Sequence, residues 1–121
     1  MIKRFDRLDI ATADLADASR LYEKNFAFSV RRDSFEDATI KIGDAEIRLR
    51  AGAPAAEVIA ATGEGLAAIW LEADDVDSVA ASLTKVGVGC APIRREGDRR
   101  ILAVDPKAAN MVPLMIFDRK A

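Results

Sequence analysis

The sequence predicts an α+β protein built from two tandem βαβββ modules, whose curved mixed sheets enclose a cleft. Three observations point there. The pattern of residues 7–22, RLDIATADLADASRLY, returns at 68–83 as AIWLEADDVDSVAASL. The register of the copies is constant: Asp14 and Asp75, Leu15 and Val76, Ala18 and Val79, Tyr22 and Leu83, Leu8 and Ile69, and Ile40 and Ile101 all stand sixty-one residues apart. Each copy opens on the period of two of a half-buried strand, changes to the period of an amphipathic helix, and continues in short alternating segments separated by turn residues. Module one covers 1–50, module two 66–121, and 51–65 links them within a single domain.

In the first module, 3–11 reads as a strand, because Leu8 and Ile10 alternate with Arg7 and Asp9. Asp14 caps a helix over 14–26, with Leu15, Ala18, Leu21 and Tyr22 on one face. Short strands follow at 30–35, 38–42 and 46–50, with Gly43-Asp44 as the turn between the last two. The linker AGAPAAEVIAATGEG is rich in Ala, Gly, Pro and Thr; its middle, 55–61, suits a short helix between glycines. The second module repeats the plan: a strand over 67–73, a helix over 75–86 capped by Asp74 or Asp75 and stopped by Gly87, and strands at 91–95, 99–104 and 111–117. Arg95 to Arg99, with Gly97, reads as a hairpin tip. Pro113 donates no ladder hydrogen bond, so the last strand is expected at an edge or bulged there.

Composition narrows the chemistry. The chain has 121 residues and half of them are hydrophobic, enough for a core without disulfide or metal. A formal charge of −2 gives no drive toward nucleic acid or an anionic membrane, so neither is expected as a partner. Arg94, Arg95, Arg99 and Arg100 cluster, but Glu96 and Asp98 interrupt them, as on a solvated hairpin. One cysteine, Cys90, fits a reducing compartment, and no secretion signal or long apolar run is visible; the cytoplasm is the expected location. Histidine is absent. That removes the commonest metal ligand and general base, and a single cysteine assembles neither a zinc nor an iron–sulfur site. The spaced acidic residues and glycine of a calcium loop are missing too, so no metal and no cofactor are expected.

If Leu8, Ile10, Ile47, Leu49, Ile69, Leu71, Val112, Leu114 and Ile116 face the helices, period two turns Arg7, Asp9, Glu46, Arg48, Arg50, Trp70, Glu72, Met111 and Met115 to the other side. Cations, carboxylates, a tryptophan and methionines on one face suit a small-molecule site.

With IATADLADASRLYEKNFAF, LEADDVDSVAASLTKVG and DPKAAN in that order, nearly the whole chain resembles the vicinal oxygen chelate superfamily, the glyoxalase, bleomycin resistance and extradiol dioxygenase group. The resemblance implies paired βαβββ modules around a U-shaped cavity, usually in a homodimer. It also implies, in metal-dependent members, one metal ligand on the first and one on the last strand of each module. The corresponding positions here are Arg7, Arg48, Ala68 and Pro113. None is an ordinary metal ligand, and two guanidinium groups repel a divalent cation.

The resulting expectation is a metal-free protein of this family that binds or sequesters a small aromatic or anionic compound, as its antibiotic-binding resistance members do. Its ligand-binding set is Arg7, Asp9, Arg48, Trp70, Glu72, Met111 and Met115. Trp70 stacks on a flat ligand, Arg7 and Arg48 pair with an anionic group, and the methionines adapt to its shape. The plainer reading has Trp70 and the methionines filling core or dimer interface. The alternative is an enzyme of the family, lyase, isomerase or dioxygenase-like, acting without the usual His/Glu metal site. Asp9 or Glu72 would then be the base and Arg7 or Arg48 would stabilise negative charge, although nearby arginines lower the pKa of such a carboxylate. A third reading is a structural or regulatory subunit with a vestigial cavity, in which Asp14, Asp17, Asp74 and Asp75 are only helix caps.

Overall fold

In the computed structural model, which describes residues 1–120, eight strands form a mixed sheet accompanied by three α-helices. The chain divides into two compact units, one made of residues 7–67 and the other of 1–6 with 68–121.

The first unit holds the second half of β1 (Ile2–Ala11), then α1 (Leu15–Phe26), β2 (Val30–Arg32), β3 (Asp37–Ile42), β4 (Ala45–Arg50) and α2 (Gly52–Thr62). Its strands run in the order β2-β3-β4-β1. β1 and β4 are parallel, with Leu8 beside Ile47 and Asp9 beside Arg48, whereas β2, β3 and β4 are antiparallel neighbours. α1 starts where expected: Asp14 is extended and its side chain accepts the Asp17 amide. It ends in a left-handed Ala27, whose N–H donates to the Glu23 carbonyl. Leu15, Ala38, Ile40 and Leu49 are buried together, with Ile10, Ala18, Tyr22 and Ile47 packed against them. Period two and the helical stripe meet in that cluster.

The second unit contains the first half of β1, most of β5 (Gly65–Ala73), α3 (Val76–Lys85), β6 (Arg94–Glu96), β7 (Arg99–Ala103) and β8 (Leu114–Asp118), in the order β1-β5-β8-β7-β6. β5 and β8 are parallel; β8, β7 and β6 are antiparallel. Asp75, rather than Asp74, caps α3 by accepting the Asp77 amide. Ala73, Val76, Val79, Leu102, Val104 and Ile116 form its core with Leu71, Leu83 and Leu114 against them.

Several boundaries differ from the sequence reading, each for a local reason. The strand expected over 30–35 stops at Arg32, because the amides of Asp33 and Ser34 both turn back to the Asp37 carbonyl and Ser34 Oγ accepts from Glu36 and Asp37. Phe35 at that tip is 96% exposed. The linker helix is longer than 55–61, with Pro54 in its first turn, where a missing N–H costs nothing. In the second unit, 91–95 is reduced to β6 and a bridge between Cys90 and Val104. The last strand begins only at Leu114, after a 3-10 turn at Pro106–Ala109 and two left-handed residues, Asn110 and Met111. β8 is therefore neither an edge strand nor bulged at Pro113: it lies between β5 and β7, and the proline precedes it, offering its carbonyl to the Ile69 amide.

Candidate functional site

In the first unit the face of β1, β4 and β3 opposite the α1 core is largely polar, with buried Ala11 beside Arg50 as an apolar member. β1 contributes Arg7 and Asp9, β4 contributes Glu46, Arg48 and Arg50, and β3 contributes Asp37 and Thr39. Register places Asp9 beside Arg48, Arg48 beside Thr39, and Arg50 beside Asp37. Arg7 is 7% exposed, and its Nε donates to Asp9 Oδ1 at 2.9 Å in a buried pair. Arg50 Nε donates to Asp37 Oδ1 at 3.0 Å. At the start of the β2–β3 turn, Arg31 Nε donates to Asp33 Oδ1 and the buried Thr39 hydroxyl to Asp33 Oδ2, both at 2.6 Å. Those hydrogen bonds, Thr39 first and Arg31 next, hold the Asp33 carboxyl below its ordinary range.

Arg48 is different. Its Nη2 lies 3.4 Å from Glu46 Oε1, a long contact, and its Nε is buried without a hydrogen-bond partner. A buried N–H without an acceptor costs about 1–3 kcal/mol, so natural folds seldom keep one without a use.

In the second unit the corresponding face is closed. Trp70, Ile101 and Phe117 are buried as one cluster, with Ala68 and Met115 against it, and Trp70 meets Phe117 edge-on at 6.2 Å. The Arg99 guanidinium lies 4.1 Å from the Phe117 ring centre and that of Arg119 5.2 Å from it. Glu72 is ringed by cations: Arg4 Nε at 2.7 Å, Arg119 Nη1 at 3.2 Å and Lys3 Nζ at 3.7 Å. Burial pushes its carboxyl upward, but Arg4, Arg119 and Lys3 outweigh that and leave its pKa lowered, the wrong direction for a general base at neutral pH.

The structure thus gathers Arg7, Asp9 and Arg48 on one strand face of the first unit, and Trp70, Glu72 and Met115 on one face of the second. Met111 is not on a strand at all; it is 68% exposed at φ 66° in the turn before β8, where period two does not apply. The sequence reading put Glu46 on the same face but gave it no role, and it missed the Thr39–Asp33–Arg31 chain. Only a register between β3 and β4 brings Thr39 beside Arg48, and alternation within one strand carries no such information.

The metal that the family resemblance implies does not fit these residues. Arg7 and Arg48 stand on β1 and β4, Ala68 on β5 and Pro113 just before β8. Two are cations and two have side chains without donor atoms. Among the described residues no group of three or more His, Cys, Asp or Glu is placed to hold a metal ion.

Comparison with known proteins supplies the wider context. The model of the Glyoxalase/Bleomycin resistance protein/Dioxygenase superfamily matches residues 4–108. No curated protein matches the chain significantly. Among solved structures, a Streptomyces coelicolor methylmalonyl-CoA epimerase variant in complex with 2-nitronate-propionyl-CoA is 24% identical, the match covering 100% of this chain and 97% of that one at a TM-score of 0.79. Methylmalonyl-CoA epimerase from Mycobacterium tuberculosis is 21% identical, with 99% and 90% covered, at 0.79. A hypothetical protein from Bacillus halodurans C-125 is 18% identical, with 98% and 95% covered, at 0.78. Identities this low establish the fold. They also correct the expectation of a metal-free protein that only binds or sequesters a compound, because structures matching this chain from end to end include epimerases, which are enzymes. The enzyme alternative is the better supported reading.

Proposed function

The chain belongs to the Glyoxalase/Bleomycin resistance protein/Dioxygenase superfamily, and from that premise we propose that it is an isomerase-type enzyme that moves a proton on a carbon next to a carbonyl group, with a guanidinium group in the place of the family's metal. Arg48 is the electrophile. The observation that carries this reading is its buried Nε, a donor without an acceptor on a strand face crowded with charge. A donor supplied where negative charge develops is the largest single contribution many enzymes make.

The chemistry is balanced within the site. The substrate C–H bond breaks, its proton passes to a carboxylate, and the electron pair moves onto the carbonyl oxygen as an enolate held by Arg48. Return of a proton to the opposite face completes the isomerisation, whereas return to the same face regenerates the substrate. Glu46 is the base that suits this best, being partly exposed and 3.4 Å from Arg48 Nη2, whereas Asp9 is buried against Arg7. The similarity to epimerases supports proton transfer over oxidation, and their printed ligands, acyl-CoA compounds, supply the first substrates to try. A homodimer in the cytoplasm belongs to the same proposal; sedimentation equilibrium returning a monomer would remove the dimer from it. Among the described residues no helix is long and apolar enough to cross a membrane.

The test is deuterium incorporation from D2O into methylmalonyl-CoA and related 2-substituted acyl thioesters and acids, followed by NMR. We expect exchange with at least one substrate, and a drop of roughly a hundredfold in Arg48→Met, the size typical of losing one such donor. No exchange across the panel, or full activity in a folded Arg48→Met, would overturn the proposal.

A further inference from the structure

We infer that Arg48 receives a substrate carboxylate, and that Thr39 keeps it open for that purpose by holding Asp33 away. The inference rests on the enzyme reading above and names its substrate class: small organic acids with a free carboxylate beside the reacting carbon.

The face carries four arginines whose pairing the structure defines. Arg7, Arg31 and Arg50 each spend Nε on a protein carboxylate, Asp9, Asp33 and Asp37 respectively, at 2.6–3.0 Å. Arg48 lies among them with the same carboxylates nearby and spends its Nε on none. That is unusual for a face so rich in acceptors, because a guanidinium and a carboxylate normally pair through two parallel hydrogen bonds.

The neighbours explain why it stays unpaired. Asp9 is taken by Arg7 and Asp37 by Arg50. Asp33 is tied to Thr39, the residue beside Arg48 in the β3–β4 register, and the Arg48 charge acts on its carboxyl. Both its oxygens are occupied, Oδ1 by Arg31 and Oδ2 by the Thr39 hydroxyl. Thr39 is 1% exposed and stands directly beside Arg48 in the β3–β4 register, so its hydroxyl has one fixed place to donate. Among the described residues Glu46 approaches Arg48, at 3.4 Å from Nη2, and it leaves Nε without an acceptor.

An arginine edge offers two coplanar donors and matches a planar group with two acceptor oxygens. A carboxylate fits; an ester or thioester, with one carbonyl oxygen and no charge, does not satisfy both. The Arg48 side chain is 29% exposed, so a turn of its outer torsions brings the closed-off Nε to an arriving anion. During proton transfer the electron pair of the C–H bond moves into that carboxylate, giving an enediolate on the two oxygens already held. Thr39 is thus a positioning residue, acting through Asp33.

Titration of 15N-labelled protein with methylmalonate, lactate and pyruvate, and with dimethyl methylmalonate as the uncharged control, tests this. We expect at least one acid to shift β3 and β4 resonances while the diester does not. Arg48→Lys, which keeps the charge but not the fork, should bind at least tenfold more weakly. Thr39→Val should weaken binding similarly with a lowered kcat, and Thr39→Ser should restore it, a rescue that a purely structural loss would not show. Binding of none of the acids, equal binding of the diester, or unchanged affinity in folded Arg48→Lys would overturn the inference. Deuterium exchange into thioesters without carboxylate binding would sink it and leave the enzyme reading standing; carboxylate binding at Arg48 without any exchange would do the reverse.

Discussion

Asp118, at the end of β8, is 1% exposed and fully committed: Oδ2 accepts from the Val76 amide at 2.8 Å and from Arg100 Nη2 at 2.6 Å, while Oδ1 accepts from Arg100 Nε at 2.9 Å. Burial alone pushes this carboxyl up, but Arg100 and the amides of Val76 and Lys120 win and bring it from 3.8 down to about 2. A group whose folded pKa lies below its unfolded one stabilises the fold above the unfolded value, and that contribution vanishes as pH falls through the folded value. The gap corresponds to roughly 2 kcal/mol. Urea unfolding of wild type and Asp118→Asn should therefore differ by about that amount at pH 6 and converge toward pH 2; a constant difference at both pH values would show that the ionised carboxylate is not its source. Met111 permits a second test at this scale. A long side chain at φ 66° is strained, so Met111→Gly should be more stable than Met111→Ala by about 1 kcal/mol in chemical denaturation, since only the alanine keeps the Cβ that this backbone disfavours. Equal stabilities would mean that the turn relaxes freely.

At the scale of the element, helix starts were the most legible feature of the sequence. Asp14 and Asp75 recur at one interval, and both are extended residues whose side chains take an amide of the first turn. Asp14→Ala should cost about 1 kcal/mol, read from the shift of the unfolding midpoint, because the Asp17 amide loses its acceptor. Glycines were legible as breaks but not as close approaches: at Gly52, with φ 78°, an added Cβ would run into the Glu36 carboxyl group. Gly52→Ala should consequently destabilise despite lying in a helix, where alanine is normally preferred; a stabilised variant would show that the helix start and Glu36 move apart at no cost. Strand faces were legible where the strand is real, as for Ile47, Leu49, Leu71 and Ile116. They failed at Met111 and Pro113, because alternation was extended through a segment that folds as a turn. The Arg48 environment was half legible. Period two found the arginines and Asp9, but the donor left open depends on which carboxylates pair across strands, and pairing is not written in any one strand.

Across the whole molecule the repeat was visible, yet the compact units do not follow its boundaries, since residues 1–6 belong with 68–121. Charge supports this grouping beside the pairing of β1 with β5. Glu72 is buried and leans on Lys3 and Arg4 from the first strand; Asp6 in turn is buried between Arg4 and Arg99, at 2.5 and 3.4 Å, and Arg99 covers Phe117 beside Trp70. Remove residues 1–6 and a buried carboxylate loses two of its three cations while Arg99 loses its anion. Breaking a buried ion pair by deleting one partner costs several kcal/mol, more than surface pairs of the same length, because the remaining charge stays desolvated. The loss should fall on one half. Hydrogen exchange of a chain starting at Arg7 should accelerate in β5, β7 and β8 by orders of magnitude while β3 and β4 keep their protection, since the Ile40 and Leu49 core contains no residue from 1–6. Equal acceleration in both halves would show that the first six residues support the fold through something other than these ion pairs. If only the second half loosens, Arg4→Met should reproduce much of the effect, because Arg4 contacts both Glu72 and Asp6.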